Sequence, residues 1–231
     1  MMSPRKKIEK QIEKDNLPKL LKQAAKLHGH YCPGLAIGVM AGQFAMKQLI
    51  GKSDGLEDLM AITETNNCFS DGIQFVTGCT FGNNALVFKD LGKTAFTLAK
   101  RDGKGIRIST LVNSKEYIKK VTQEFSGEYK SVVKEQSRNP EDVKKFKKYG
   151  KKAAFAVLDL EFDKIFKVEE VKVEVPSYAP SHESIVCDGC GESIMASRII
   201  KIENRNYCLI CNSSMYMQLN GNGIINITEK K

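Results

Sequence analysis

Residues 26–43 read KLHGHYCPGLAIGVMAGQ, and this stretch ties the chemistry of the chain to its architecture. Two of the three histidines, His28 and His30, stand here with Cys32, just ahead of a glycine-rich apolar run. Pro33 suits the first turn of a helix reaching about Leu49. It also pushes Cys32 out of the right-handed helical region, which leaves that cysteine at or beside a helix N-terminus. There the helix dipole and free N–H groups favour a thiolate. If 28–32 is extended, side chains two apart face the same way, and His28, His30 and Cys32 converge on one point. Thiolate with imidazole suits zinc, and equally iron, nickel or copper. Three protein ligands with an open fourth position would make a catalytic-type site. The plainer alternative is a helix-entry loop whose histidines cap or pack. Within the helix, Gly34, Gly38 and Gly42 recur every four residues. Each interior glycine costs about 1 kcal/mol relative to alanine, so close approach of another backbone or of a ligand is expected there.

Outward from this stretch, residues 5–27 read as a helix with a break near Asn16-Leu17-Pro18. Downstream come strand-like runs LMAITET, ALVFKD, TAFTLAK and GIRIST, separated by turn signals such as RDGKG. The pattern predicts hairpins and an antiparallel sheet rather than alternating βαβ. Two charged helices follow over 114–137 and 140–159, the second opened by NPED, and then a strand KVEEVKVEV. PSYAPSHES reads as a linker. The expected fold class is α+β: an antiparallel sheet with packed helices over residues 1–175, a linker over 176–183, and a small zinc-ribbon or treble-clef domain over 184–231.

A chain of 231 residues with 42% apolar and 27% charged residues is globular in composition. The N-terminal stretch is basic without an apolar core, so no secretory signal is expected. The longest apolar run, 33–46, is too short to span a bilayer. A cytoplasmic protein without membrane contact is the expectation. The net charge of +9, from 36 basic and 27 acidic residues, is concentrated in RKKIEKQIEK and KKFKKYGKK. These read as solvated helix faces or as weak attraction to nucleic acid or an anionic substrate.

Seven cysteines in a chain without a signal argue against a disulfide framework. Four of them, Cys187, Cys190, Cys208 and Cys211, form two Cys-x2-Cys pairs separated by seventeen residues. Four thiolates satisfy tetrahedral zinc and leave no open position, which makes the site structural. A segment this short builds little core, so the metal would supply its folding free energy. Between the pairs, RIIKIENRNYC predicts a hairpin turning at 203–206. After them, NSSMYMQLNG suggests a short helix, which favours a treble clef. The remaining cysteines, Cys68 and Cys79, lie in a polar, turn-rich stretch with Asp71 and Gln74. Cys79 reads equally as packing or as part of a site, and Asp71 as a helix cap or a functional acid.

Together, HGHYCPGLAIGVMAG and CFSDGIQFVTGCTFGNNALVFKDLGKTAFTL resemble the FmdE family of formylmethanofuran dehydrogenase proteins. Its pattern of His-Gly-His-x-Cys-Pro-Gly, Cys-x-x-Asp-x-Ile-Gln and Thr-Gly-Cys-Thr-x-Gly is carried here by residues 28–34, 68–74 and 77–82. One departure is Asn83-Asn84, where family members often carry a basic residue. The resemblance covers residues 20 to 165. It implies an α+β fold, commonly dimeric, with a metal near the His/Cys motif, in the one-carbon metabolism of methanogens and other anaerobes. Some members carry a C-terminal zinc module.

Two functions are expected to compete. The first is a metal-binding protein, with His28, His30, Cys32 and Cys68 around a second ion, zinc by preference, and with Cys32, His30 and Asp71 as catalytic candidates. It would be an accessory to a molybdenum or tungsten oxidoreductase, an FmdE-like oxidoreductase component, or a small-molecule enzyme. The second is a ligand- or metal-sensing regulator whose zinc finger binds nucleic acid or RNA polymerase. DLGKT is no Walker loop, because the upstream glycine is missing, and no GxGxxG, haem or ferredoxin motif occurs.

Overall fold

A computed structural model describes residues 4–49, 56–213 and 215–228. The chain divides into two units, Met1–Pro176 and Ser177–Lys231.

The first unit begins with α1 (Lys6–Glu13) and α2 (Leu17–His28). They are separated at Asp15, which takes a positive φ, and Asn16 caps α2 by accepting the Lys19 N–H. Helix α3 (Pro33–Gln48) is apolar on nearly every side and buried over most of its length, as a central helix should be. Its N-cap is Cys32, in extended conformation, whose sulfur accepts the Leu35 N–H at 3.4 Å. Helix α4 (Cys68–Thr77) packs on α3. The glycines decide how closely. A Cβ at Gly38 would stand 2.2 Å from the Phe69 carbonyl oxygen, and one at Gly72 2.7 Å from the Gly38 backbone. The cost of the interior glycines is thus offset by backbone-to-backbone packing.

Helix α4 replaces the polar, turn-rich stretch expected around Cys68. Its bounds follow local rules: Asn67 caps it by accepting the Phe69 N–H, and Gly78 closes it with φ of 77°. The helix also alters the sheet. The strands are β1 (Leu59–Thr63), β2 (Leu86–Phe88), β3 (Ala95–Lys100), β4 (Lys104–Thr110) and β5 (Phe166–Lys172), in the order β2-β1-β3-β4-β5. Antiparallel pairing joins β1 to β3, β3 to β4 and β4 to β5. In contrast, β2 runs parallel to β1, with Ala61 opposite Leu86. The sheet is mixed rather than antiparallel throughout, because α4 serves as a crossover between β1 and β2. The class remains α+β.

Between β4 and β5 lie α5 (Ser114–Tyr129), a π-helical turn Lys130–Lys134, α6 (Pro140–Leu158) and the short α7 (Phe162–Ile165). Asn139 caps α6, with Pro140 at its first position and Glu141 and Asp142 in its first turn. The core of this unit gathers Leu20, Leu35, Met60, Phe69, Phe96 and Ile108, all almost without exposure.

The second unit is built of small pieces: β6 (Ser184–Val186), β7 (Ser193–Met195), a 3-10 turn Ala196–Arg198, β8 (Ile200–Ile202), β9 (Arg205–Tyr207), α8 (Leu209–Ser213), β10 (Met215–Asn220) and β11 (Gly223–Thr228). They form three two-stranded sheets, β6-β7, β8-β9 and β10-β11. The predicted hairpin turns at Glu203-Asn204, both with positive φ, as a two-residue hairpin loop requires. The short helix expected over NSSMYMQLNG is corrected. Met215–Asn220 is a strand paired with Gly223–Thr228 across a two-residue Gly221-Asn222 turn, a hairpin signal that outweighs helix propensity. Among the described residues of this unit the one buried hydrophobic side chain is Cys187. No helix among the described residues is long and apolar enough to cross a membrane.

Candidate metal centres and a ligand pocket

The front cluster is assembled by a helix end, a turn and a helix start. His28 is the last residue of α2, and Gly29, at φ of 86°, reverses the chain as a left-handed cap. His30 then folds back so that its ring lies 4.3 Å from that of His28, centroid to centroid. Cys32 follows as the N-cap of α3. The segment is therefore not extended as expected: a left-handed glycine, rather than strand alternation, brings the three side chains together. One ligand atom from each of His28, His30 and Cys32 lies within 4.8 Å of the others. Cys68, the first residue of α4, stands outside that mutually close set but beside it, with its thiol against Cys32 and His28.

Asp71 reaches the cluster from the first turn of α4. His28 Nδ1 donates to Asp71 Oδ2 at 2.7 Å, and Gln74 Nε2 donates to Asp71 Oδ1 at 3.3 Å. The cap of α4 is Asn67, which leaves Asp71 to orient an imidazole. With Nδ1 committed to the carboxylate, His28 Nε2 faces Cys32 Sγ at 3.6 Å. A histidine that ligates a metal through one nitrogen commonly donates the other N–H to a carboxylate. The donor set fits an ion on this ground as well as on proximity.

Electrostatics sharpens the picture. Helices α3 and α4 both begin at the cluster, each with a cysteine at its positive end. The Cys68 thiol is pushed down to about 4, first by its hydrogen bond with Cys32 and then by His28. Cys32 is pushed up by the same bond and by burial. The contact between the two thiols thus favours ionisation at Cys68 over Cys32. His28 is raised to about 9, chiefly by the Cys68 sulfur, with Asp71 adding and burial opposing. His30 is lowered by burial and by the neighbouring His28 charge. A cation would take the place of these protons, so its binding should release them.

Cys79 is not part of the cluster. It is fully buried, its Sγ approaches the Leu59 carbonyl at 3.5 Å, and burial raises it to about 11. It is a packing residue.

The cluster forms one end of a cavity of about 890 Å³. The rest of its lining is largely apolar: Phe125, Tyr129, Val132, Val133, Val143 and Phe146, the last with its ring 5.6 Å from that of His30, centroid to centroid, and with Arg138 and Lys147 among the polar groups. These come from α5, the π-helical turn and α6, which composition presents only as solvated charged helices. A signal was available, since 125, 129, 132 and 133 share one helical face within a lysine-rich sequence. The loop bearing His30 is held against α6 at Gly150, where a Cβ would fall 2.6 Å from the Tyr31 carbonyl oxygen.

The second cluster joins Cys187, Cys190, Cys208 and Cys211, whose sulfurs all lie within 4.8 Å of one another. Sulfurs about 2.3 Å from a single zinc would stand about 3.8 Å apart at tetrahedral corners. Backbone N–H groups point at the sulfurs: Gly189 and Cys208 donate to Cys187 Sγ at 3.4 and 3.3 Å, and Cys211 donates to Cys208 Sγ at 3.3 Å. Such donors, those of Cys190 and Cys208 first, lower Cys187 to about 6. A cluster of four thiols with N–H groups aimed at them fits a zinc module, and the donor types fit other thiophilic ions as well.

Residues 27–167 match the family described as "FmdE, Molybdenum formylmethanofuran dehydrogenase operon". A protein of Archaeoglobus fulgidus named "Probable S-adenosyl-L-methionine-binding protein" is 36% identical over 223 residues, which cover 94% of this chain. The chain spans 59% of that relative's length. Among solved structures, a tungsten formylmethanofuran dehydrogenase FmdE-like protein from Syntrophus aciditrophicus matches 84% of this chain and 91% of its own, with a TM-score of 0.52 and 22% identity. That likeness bears on the fold alone.

Proposed function

This chain belongs to the FmdE family, and from that premise we propose that it holds a catalytic-type metal ion at the end of a small-molecule pocket. The observation that carries the reading is the placement of three soft and borderline donors, His28, His30 and Cys32, within 4.8 Å of one another on the wall of an 890 Å³ cavity. Cys68 is the reserve thiolate, and Asp71 fixes His28. When bound, the ion would supply Lewis acidity to a ligand in the pocket. The protein's own groups orient that ligand, exclude water through the apolar wall, and hold a proton at His28 Nδ1. The four-cysteine unit takes a separate, structural zinc.

On this reading the protein works beside a molybdenum or tungsten formylmethanofuran dehydrogenase-type enzyme, as an accessory component or as a small-molecule enzyme. Support comes from the family assignment and from a pocket that leaves room for a ligand beside the donors. Metal analysis tests it. Intact protein should hold two ions per chain, and Cys32→Ser or His30→Ala should lose one of them while Cys190→Ser loses the other. Intact protein with only the C-terminal ion would sink the reading. Anaerobic purification from the native organism, with partners and bound metabolites measured in one sample, separates accessory from independent enzyme. S-adenosyl-L-methionine belongs among the ligands assayed, given the name of the Archaeoglobus relative.

A second reading makes the protein a regulator that senses its ligand in the pocket and contacts nucleic acid or RNA polymerase through the C-terminal unit. Exposed Arg198, Lys201 and Arg205 around its hairpin favour it. Phosphate-dominated binding should weaken steeply as salt rises, and absence of binding at low salt removes this reading.

A further inference from the structure

Helices α2 and α6 each present two lysines one turn apart, Lys22 and Lys26 on one and Lys147 and Lys151 on the other. All four line a single groove of about 430 Å³, with Tyr31 and His30 in its wall. The four are exposed, and none forms an ion pair among the described residues. Like charges at i,i+4 destabilise a helix by about 0.2–0.5 kcal/mol per pair, and here two such pairs face one space. On the same helix, Lys152 is neutralised by Glu124. Positive charge in the groove is therefore left uncompensated.

The lysines are also placed with some precision. Lys151 lies over the Tyr31 ring at 5.7 Å and Lys22 over the Phe155 ring at 5.9 Å, contacts that restrict otherwise mobile stems. Gly29, His30 and Lys147 line both this groove and the main pocket. The groove therefore adjoins the main pocket along these shared residues, and no carboxylate lines either cavity among the described residues.

We propose that the lysine groove is an anion subsite, which takes the phosphate- or carboxylate-bearing end of the small molecule whose apolar body lies along the main pocket. The inference rests on reading that pocket as a ligand site and does not require the metal. Calorimetric titration of the full chain with pyrophosphate, and separately with citrate, tests it at low ionic strength. Saturable binding should weaken about tenfold in Lys22→Gln/Lys26→Gln and likewise in Lys147→Gln/Lys151→Gln, a loss of about 1.4 kcal/mol for each pair. Lys119→Gln/Lys120→Gln removes the same charge from α5 and should change affinity less than about twofold, an effect of net charge alone. Stronger binding of pyrophosphate assigns a phosphate end, and stronger binding of citrate a carboxylate end. Each groove variant relieves one like-charge pair and removes one cation–ring contact, small and opposing effects, so both should melt within about 4 °C of the parent. Cys32→Ser should keep pyrophosphate affinity while losing the front ion, so failure of the metal reading is distinguishable from failure of this one. Equal weakening in all three double variants, or no saturable binding by the parent, overturns the proposal.

Discussion

In the unit Ser177–Lys231 most described residues are exposed and only Cys187 among their hydrophobic side chains is buried; Cys187 and Cys190 lie between β6 and β7, and Cys208 and Cys211 lie at and within α8. The His28–His30–Cys32 cluster instead stands on α2, α3 and α4, whose inner faces form a continuous apolar core. The two sets use overlapping ligand chemistry and stand in opposite relation to stability. At the C-terminal cluster an ion would organise a segment that buries almost nothing. At the front cluster the segment is already organised, and an ion held there would be free to serve a ligand. A functional site departs from best packing, whereas a structural metal site supplies the packing.

The largest effect expected from this contrast is Cys190→Ser or Cys208→Ser. A structural zinc supplies about 10–16 kcal/mol of apparent folding free energy to a module of this size. Its loss should make the chain protease-sensitive beyond Pro176 while Met1–Pro176 melts unchanged. A variant that stays resistant would break the comparison. Next comes Gly38→Ala, whose Cβ meets the Phe69 carbonyl at 2.2 Å. Helix α3 must move away from α4, at a cost of about 3 kcal/mol, or about 6–12 °C in melting temperature. The C-terminal ion should remain bound.

A smaller effect comes from the ion pair that braces the sheet. Arg107 donates to both Glu64 oxygens, at 2.7 and 2.8 Å, and the Glu64 side chain is buried. The Arg107 hydrogen bonds hold the Glu64 carboxyl below its usual range, with burial opposing. Because the folded value is the lower one, the unfolded chain takes up the proton first. Stability is present above the ordinary carboxylate range and lost as pH falls through the folded value. A hydrogen-bonded charge of this kind contributes about 2 kcal/mol. Urea midpoints of the first unit should drop from pH 5 to pH 3, and Glu64→Gln should flatten that slope. The smallest stability effect is expected at Cys32, the residue on which the proposed front metal site depends most. In Cys32→Ser a hydroxyl, a favoured N-cap, replaces the sulfur that accepts the Leu35 N–H, so the change should stay within about 1 kcal/mol. The front ion should nevertheless be lost. Collapse of the first unit in this variant would make Cys32 a packing residue.

Much of this contrast is legible in local sequence. The Cys-x2-Cys pairs mark knuckles because three-residue spacing brings two sulfurs to one side of a tight turn. Asn16, Pro33 and Asn139-Pro140 mark helix starts because caps act within a few residues. Asn67 and Gly78 bracket α4 in the same way, yet Gly72 and the polar CFSD made the segment read as turns. The apolar wall of the pocket was hidden for a related reason: Tyr129, Val132 and Val133 are outnumbered by lysine and glutamate, and only their common face gives them a role.

By itself, then, the sequence determined the starts of α2, α3 and α6, which four cysteines cluster, and that His28, His30 and Cys32 fall close together, because each depends on backbone preferences acting over a few residues. Only the tertiary structure decided that Asp71, 43 residues away, fixes the His28 ring. It likewise decided that β2 lies parallel to β1 and that lysines of α2 and α6 share one groove. Those outcomes depend on contacts between distant segments, whose closure entropy is overcome only when α3, α4 and α6 bury their faces together.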